Sequence, residues 1–204
     1  MNFVIFAVVA VVAVALVALT IEAKQKRRAA LGKVAERLHL ECEGETISGV
    51  LDGIPLSVRT QFRGFGRHRR LYTVFRFQLT TNLPEDLSIV FETTGKKLLT
   101  VMGAQDIELG LHEFDPKLTV KGRNEEEVRA WARRSGVIEG LSRLLEMRNC
   151  GFKIKKGWLT VDLLGLEHQK KKASFIEDLI YQLVSIVSCM SADHVETSQI
   201  LKID

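Results

Sequence analysis

The chain has 204 residues, 46% of them apolar and 26% charged, and carries a net charge of +4. That length holds one domain and an anchor rather than two full domains, and the composition argues against a disordered or fibrous chain. Cys42, Cys150 and Cys189 are odd in number and include no C-x-x-C pair, which argues against a disulfide framework and suits free thiols in a reducing compartment.

From Phe3 to Ile21 the sequence reads FVIFAVVAVVAVALVALTI, with no charge, Gly or Pro. A helix of that length, rising 1.5 Å per residue, spans the roughly 30 Å of a bilayer's hydrocarbon layer. Valine is a poor helix former in water, but in lipid the backbone must satisfy its own hydrogen bonds, and this requirement overrides propensity. The rival reading is a cleaved signal peptide ending near Ile21-Glu22-Ala23. Against it, the apolar run exceeds the usual length of about 7 to 15 residues, no Lys or Arg precedes it, and Lys24, Lys26, Arg27 and Arg28 follow at once. Residues 1–22 are therefore expected to be a transmembrane signal-anchor. Lys and Arg beside a span are retained inside, so the N-terminus is expected outside and the remainder in the cytoplasm. The bilayer is the first expected partner. Because the apolar run is uncharged, the excess of basic residues belongs to residues 22–204, and those near anionic headgroups explain it before nucleic acid is needed.

Beyond the anchor, Leu31, Val34, Ala35 and Leu38 recur at helical spacing among basic residues, which predicts a basic juxtamembrane helix within residues 23–43. A domain over 44–192 follows, with a tail over 193–204. Ile47 to Leu51 and Ile54 to Phe62 flank Asp52-Gly53, a dipeptide suited to the positive φ of a tight hairpin turn, while Pro55 suggests an edge or a bulge. Leu71, Thr73, Phe75, Phe77 and Leu79 alternate with polar and smaller residues, and Leu87, Ile89 and Phe91 repeat the pattern, giving about four antiparallel strands in succession. Phe114 to Gly122 suggests one more.

Asn124 followed by Glu127 forms a capping box ahead of Val128 and Trp131, and Ser135-Gly136 interrupts the helical pattern before Val137, Ile138, Leu141, Leu144 and Leu145. Residues Gly151 to Leu163 alternate on both sides of Lys156-Gly157 and predict a second hairpin. Ser174 and Glu177 suggest a further capping box before a long apolar helix ending near Met190, read as a packed core helix rather than a second span. The expected fold class is α+β: an antiparallel sheet with helices packed on one face, behind a transmembrane helix.

At Ile47-x-Gly49-x-x-x-Gly53, Phe114-Asp115-x-x-Leu118-x-Val120-x-Gly122 and Gly157-x-Leu159, the chain resembles membrane-anchored bacterial proteins that carry a domain of unknown function. The resemblance covers about residues 45 to 190 and rests on turns and core positions. It implies one folded domain and a bacterial inner-membrane setting, and contributes no catalytic residue.

The main candidate site is the basic segment Arg63-Gly64-Phe65-Gly66-Arg67-His68-Arg69-Arg70. Its start matches an RNA-binding octamer, but Arg67 and His68 replace the aromatic and aliphatic residues that the octamer requires. A solvated hairpin loop is the plain reading. Arg63, Arg67, Arg69 and Arg70 as a headgroup-binding patch is the functional one, with a nucleic-acid or acidic-protein contact behind it. Thr93-Thr94-Gly95-Lys96-Lys97 lacks the earlier glycine of a phosphate loop, and His112-Glu113 meets Pro116 where a zinc helix needs histidine. Gly140-Leu141-Ser142 lacks the second glycine of a nucleophile elbow. No catalytic residue, cofactor or metal site is assigned. The expectation is a binding or interaction module with a protein or membrane-surface partner; the alternative is a membrane-associated enzyme.

Overall fold

The computed structural model describes residues 2–91, 107–148, 150–164 and 172–192. A single helix, α1 (Asn2–Leu38), takes in both the apolar run and the basic turns that follow it, a length of about 55 Å at 1.5 Å per residue. Leu31, Val34, Ala35 and Leu38 are buried against the domain, as their spacing predicts, whereas Val11, Val14 and Leu19 are more than 60% exposed.

The chain then turns back as β1 (Glu41–Glu43), β2 (Thr46–Leu51) and β3 (Ile54–Arg63), followed by β4 (Arg70–Gln78), β5 (Ser88–Phe91) and β6 (Thr119–Lys121). Helices α2 (Glu125–Ala132) and α3 (Ser135–Glu146) precede the hairpin β7 (Cys150–Lys155) and β8 (Trp158–Leu164), and α4 (Lys172–Ser191) ends the described part. The expected hairpins form as the turn chemistry requires. Asp52 and Gly53 have φ of 50° and 77°, and Lys156 and Gly157 have 52° and 78°, values that suit two-residue turns between right-twisted strands. Pro55 lies one residue before the β3–β4 ladder opens at Leu56 opposite Phe77.

The sheet is eight-stranded and antiparallel, in the order β1-β2-β3-β4-β8-β7-β5-β6. Pairing in simple succession fails at β5, because the late hairpin β7–β8 inserts between β4 and β5. Three features of these strands suit the arrangement: Val161 and Leu159 are completely buried, Thr160 is nearly so, and Phe152 meets Phe91 with ring centroids 5.4 Å apart. β1 was not expected from so short and acidic a run. Phe114 lies in a turn rather than a strand, where Asp115 accepts hydrogen bonds from Leu109 N and Leu111 N at 2.8 and 2.9 Å.

Helices cover one face of the sheet. Asn124 caps α2 through its side-chain oxygen, which accepts from Glu126 N and Glu127 N, and its amide donates to Glu127 at 3.0 Å. The second expected cap differs: α4 begins at Lys172, ahead of Ser174, and Glu177 pairs instead with Arg37 of α1 at 3.0 Å. α3 and α4 pack closely because Gly136 and Gly140, one turn apart, face Cys189 and Met190 without an intervening Cβ. By length and composition Ala173–Ser191 could cross a membrane. Its apolar side, however, including Ile180, Leu183, Ile186 and Val187, is buried in the core, and Asp178, Gln182, Ser185 and Ser188 face outward. That is the amphipathic pattern of a helix layered on a sheet.

A basic hairpin beside the root of the long helix

Two contacts orient the sheet against α1. Glu45, just before β2, pairs with Arg27 at 3.0 Å, and Gly49, midway along β2, packs against Leu40 beyond the end of α1. β2 therefore runs in the same sense as α1, and β3 returns toward the helix's N-terminal half. Thr60 N donates to Glu45 O, which places Thr60 level with Arg27. The four residues from Thr60 to Gly64 advance about 13 Å along a strand, whereas Arg27 and Glu22, the first charged residue of α1, are separated by only about 7.5 Å along a helix. Even a strongly tilted hairpin thus carries its tip to the level where α1 loses its charged residues.

The tip is a tight turn. Gly64 and Gly66 have φ of 94° and 56°, and a Cβ on Gly64 would overlap the His68 carbonyl oxygen, so glycine is required there. A single 3-10 turn, Gly66–His68, follows, with Arg69 N donating to Gly66 O at 3.2 Å. Phe65 projects at the apex, 94% exposed.

The structure divides the expected basic patch between two surfaces. Phe62, at the end of β3, joins one pair: the Arg69 guanidinium lies 4.2 Å from its ring centroid and that of Arg27 5.7 Å. A single aromatic ring thereby connects the juxtamembrane cluster to the hairpin, two segments that only tertiary structure brings together. Arg67 stands in the middle of the turn. Arg63 and Arg70 are opposite each other in the β3–β4 ladder and belong to the sheet face away from the helices. There Arg63 donates both its terminal nitrogens to Asp162 at 2.6 and 2.8 Å and covers the Tyr72 ring at 5.1 Å, so its charge is already partnered. Among the juxtamembrane residues, Lys24 is exposed, Lys26 pairs with Glu22 within the helix, Arg27 is half-buried and Arg28 lies beside Gly44. Phe62 and Glu45, which tie these elements together, carried no local signal in the sequence. Only the hairpin register reveals that Phe62 faces the helix.

The remaining motifs lie elsewhere. Gly140 is inside α3, packed on Met190, and His112-Glu113 is in a turn; residues 93–97 and the tail 193–204 fall outside the described residues. Cys150 is buried, its thiol donating to Met147 O at 3.1 Å, and burial pushes its pKa up to about 11. The Cys189 thiol is also raised, first by burial and then by the neighbouring Glu139 carboxylate. Both shifts disfavour the reactive thiolate. A pocket of about 140 Å³ lies between Leu83, Pro84, Asp86, Leu87 and the turn at Lys156-Gly157, small beside the roughly 300 to 1,000 Å³ of sites for small molecules. Among the described residues, no group of three or more His, Cys, Asp or Glu comes together as a metal site would require. No protein-family model matches the chain, nor does any curated protein or solved structure.

Proposed function

We propose that the protein is a single-pass membrane protein, held by the apolar part of α1, whose cytoplasmic α+β domain is a binding module seated on the anionic bilayer surface. The observation that carries this reading is the change of environment along one continuous helix. Val11, Val14 and Leu19 expose apolar side chains, whereas Leu31, Val34, Ala35 and Leu38 are buried. A long helix that exposes a run of valines to water loses the burial free energy of about 25 cal/mol per Å² that lipid would supply. Lys24, Lys26, Arg27 and Arg28 follow where headgroups would be, and the tendency of such residues to be retained supports a domain on the inner side.

Seating follows from the hairpin. Phe65, at the apex of the tight turn and exposed, suits the interfacial layer, and Arg69, on the same Phe62 ring as Arg27, would reach the headgroups that Lys24 meets. Each basic side chain near an anionic surface contributes on the order of 1 kcal/mol. Two measurements test the reading. In intact cells, an impermeant maleimide should label the exposed Cys42 only after permeabilisation, and alkaline carbonate should leave the protein in the membrane; labelling from outside or release into the supernatant would refute the topology. In reconstituted vesicles, an environment-sensitive dye at Phe65→Cys, in a background lacking the native cysteines, should blue-shift with phosphatidylserine and lose that shift as salt rises. A response unchanged by Arg67→Gln with Arg69→Gln would refute the seating.

A further inference from the structure

The face of the sheet turned away from the helices has a charge distribution that proximity to a membrane does not explain. The register places Arg76, Thr160 and Lys153 in one row across β4, β8 and β7, and Trp158, Lys155, Ser88 and Lys121 in the next across β8, β7, β5 and β6. Arg59 continues the basic surface on β3 and is exposed, as are Lys153 and Lys155. On strands β3 to β8 the carboxylate on this face, Asp162, is taken up by Arg63, and Asp86 stands beside Lys155 at the rim. Glu41 and Glu43 occupy the same face only at the far edge, on β1. The result is a sheet surface that is acidic at one edge and basic over the rest.

The basic rows lie at the end of the sheet opposite the hairpin tip. From Arg70 to Gln78, β4 advances about 26 Å, against a screening length of about 8 Å at physiological salt. Headgroups beside the hairpin cannot be the partners of Lys153, Lys155 and Lys121. A partner approaching from the aqueous side must supply the negative charge.

We infer that this face docks an acidic, extended polypeptide segment of a partner protein. Two observations favour a polypeptide over nucleic acid. Among the described residues, the aromatic rings on the face each carry an arginine, Arg76 at 4.7 Å from Trp158 and Arg63 at 5.1 Å from Tyr72, and an occupied ring is a poor platform for base stacking, the usual anchor of a single strand. In addition, Lys153 and Lys155 project from alternate positions of one strand, about 7 Å apart, which is also the spacing of alternate carboxylates on an extended chain. Charge complementarity of this kind sets orientation and association rate. The exclusion of headgroups rests on the seating proposed above, whereas the charge complementarity of the face does not.

Fluorescence anisotropy on the full-length protein in neutral nanodiscs tests it, with a short labelled peptide of alternating Glu and Ala as probe and an oligouridylate of equal charge as competitor. The peptide should bind, weaken with salt, and resist displacement by the oligonucleotide. Reversing Lys121, Lys153 and Lys155 to Glu should weaken it by about tenfold or more, and the milder triple substitution to Gln should do so by less. Arg67→Gln with Arg69→Gln should leave it unchanged, which separates this surface from the hairpin. Preferential binding of the oligonucleotide, absence of peptide binding, or peptide binding indifferent to the three lysines would each overturn the proposal.

Discussion

A glycine-to-alanine substitution usually strengthens a helix by about 1 kcal/mol, because alanine loses less backbone entropy on folding. Three helical glycines of this protein should follow that rule, cancel it and reverse it in turn. At Gly32 in α1 nothing lies within 4 Å of an added Cβ, so Gly32→Ala should stabilise the fold by up to about 1 kcal/mol. At Gly140 the new methyl would meet the buried Met190 side chain, which can shift as a backbone atom cannot, so this variant should fall between the other two, with the gain offset at least in part. At Gly136 it would overlap the carbonyl oxygen of Cys189, a backbone atom that no side-chain rotation moves. α3 must then withdraw from α4 and loosen Val137, Leu141 and Leu144, all completely buried. Overpacking of this kind costs about 1 to 3 kcal/mol. For a chain of this size each kcal/mol shifts Tm by about 2 to 4 °C, so Gly136→Ala should melt roughly 2 to 12 °C below the parent, with Gly32→Ala at or slightly above it. Thermal unfolding of the full-length variants in mild detergent, followed by circular dichroism, reads the order directly. A Gly136→Ala protein as stable as Gly32→Ala would show that α3 and α4 are not in close backbone contact.

Asn124→Ala removes the acceptor for two amides at the start of α2 and should cost about 1 kcal/mol in denaturant unfolding, with Asn124→Asp retaining most of it. In native protein at mildly alkaline pH, a thiol reagent should modify Cys42 quickly and Cys189 slowly, and reach Cys150 only after denaturant is added; equal rates would contradict the burial. Cys150 also sets a pH dependence. Its folded pKa of about 11 lies above the ordinary thiol value of 9.0, so the unfolded chain ionises first, and the contribution to stability present below pH 9 is lost as pH rises toward 11. Cys150→Ala should flatten that alkaline decline, and an unchanged slope would remove Cys150 as its cause.

The candidate site was legible in part. The basic run at 63–70 is plain in the sequence, and the glycines announce a turn. Its division between two surfaces is not, because period-two alternation sends Phe62 to the helix side and Arg63 to the other, and which neighbours await them depends on the strands alongside. Asp162, almost a hundred positions away, neutralises Arg63 only because β8 lies against β4.

Local chemistry determined what the sequence alone could specify: the helix from its apolar and basic blocks, both hairpins from Asp52-Gly53 and Lys156-Gly157, the Asn124 cap, and the α+β class from alternating and helical periodicities. Tertiary structure decided the strand order, with the last hairpin inserted beside β4. It also decided the meeting of Arg27, Phe62 and Arg69, and the basic open face assembled from four separate strands. Turns and caps are settled by the φ angles and hydrogen bonds of a few adjacent residues. Strand partners are chosen by the fit of whole buried faces, a property of segments that meet only after the chain has folded.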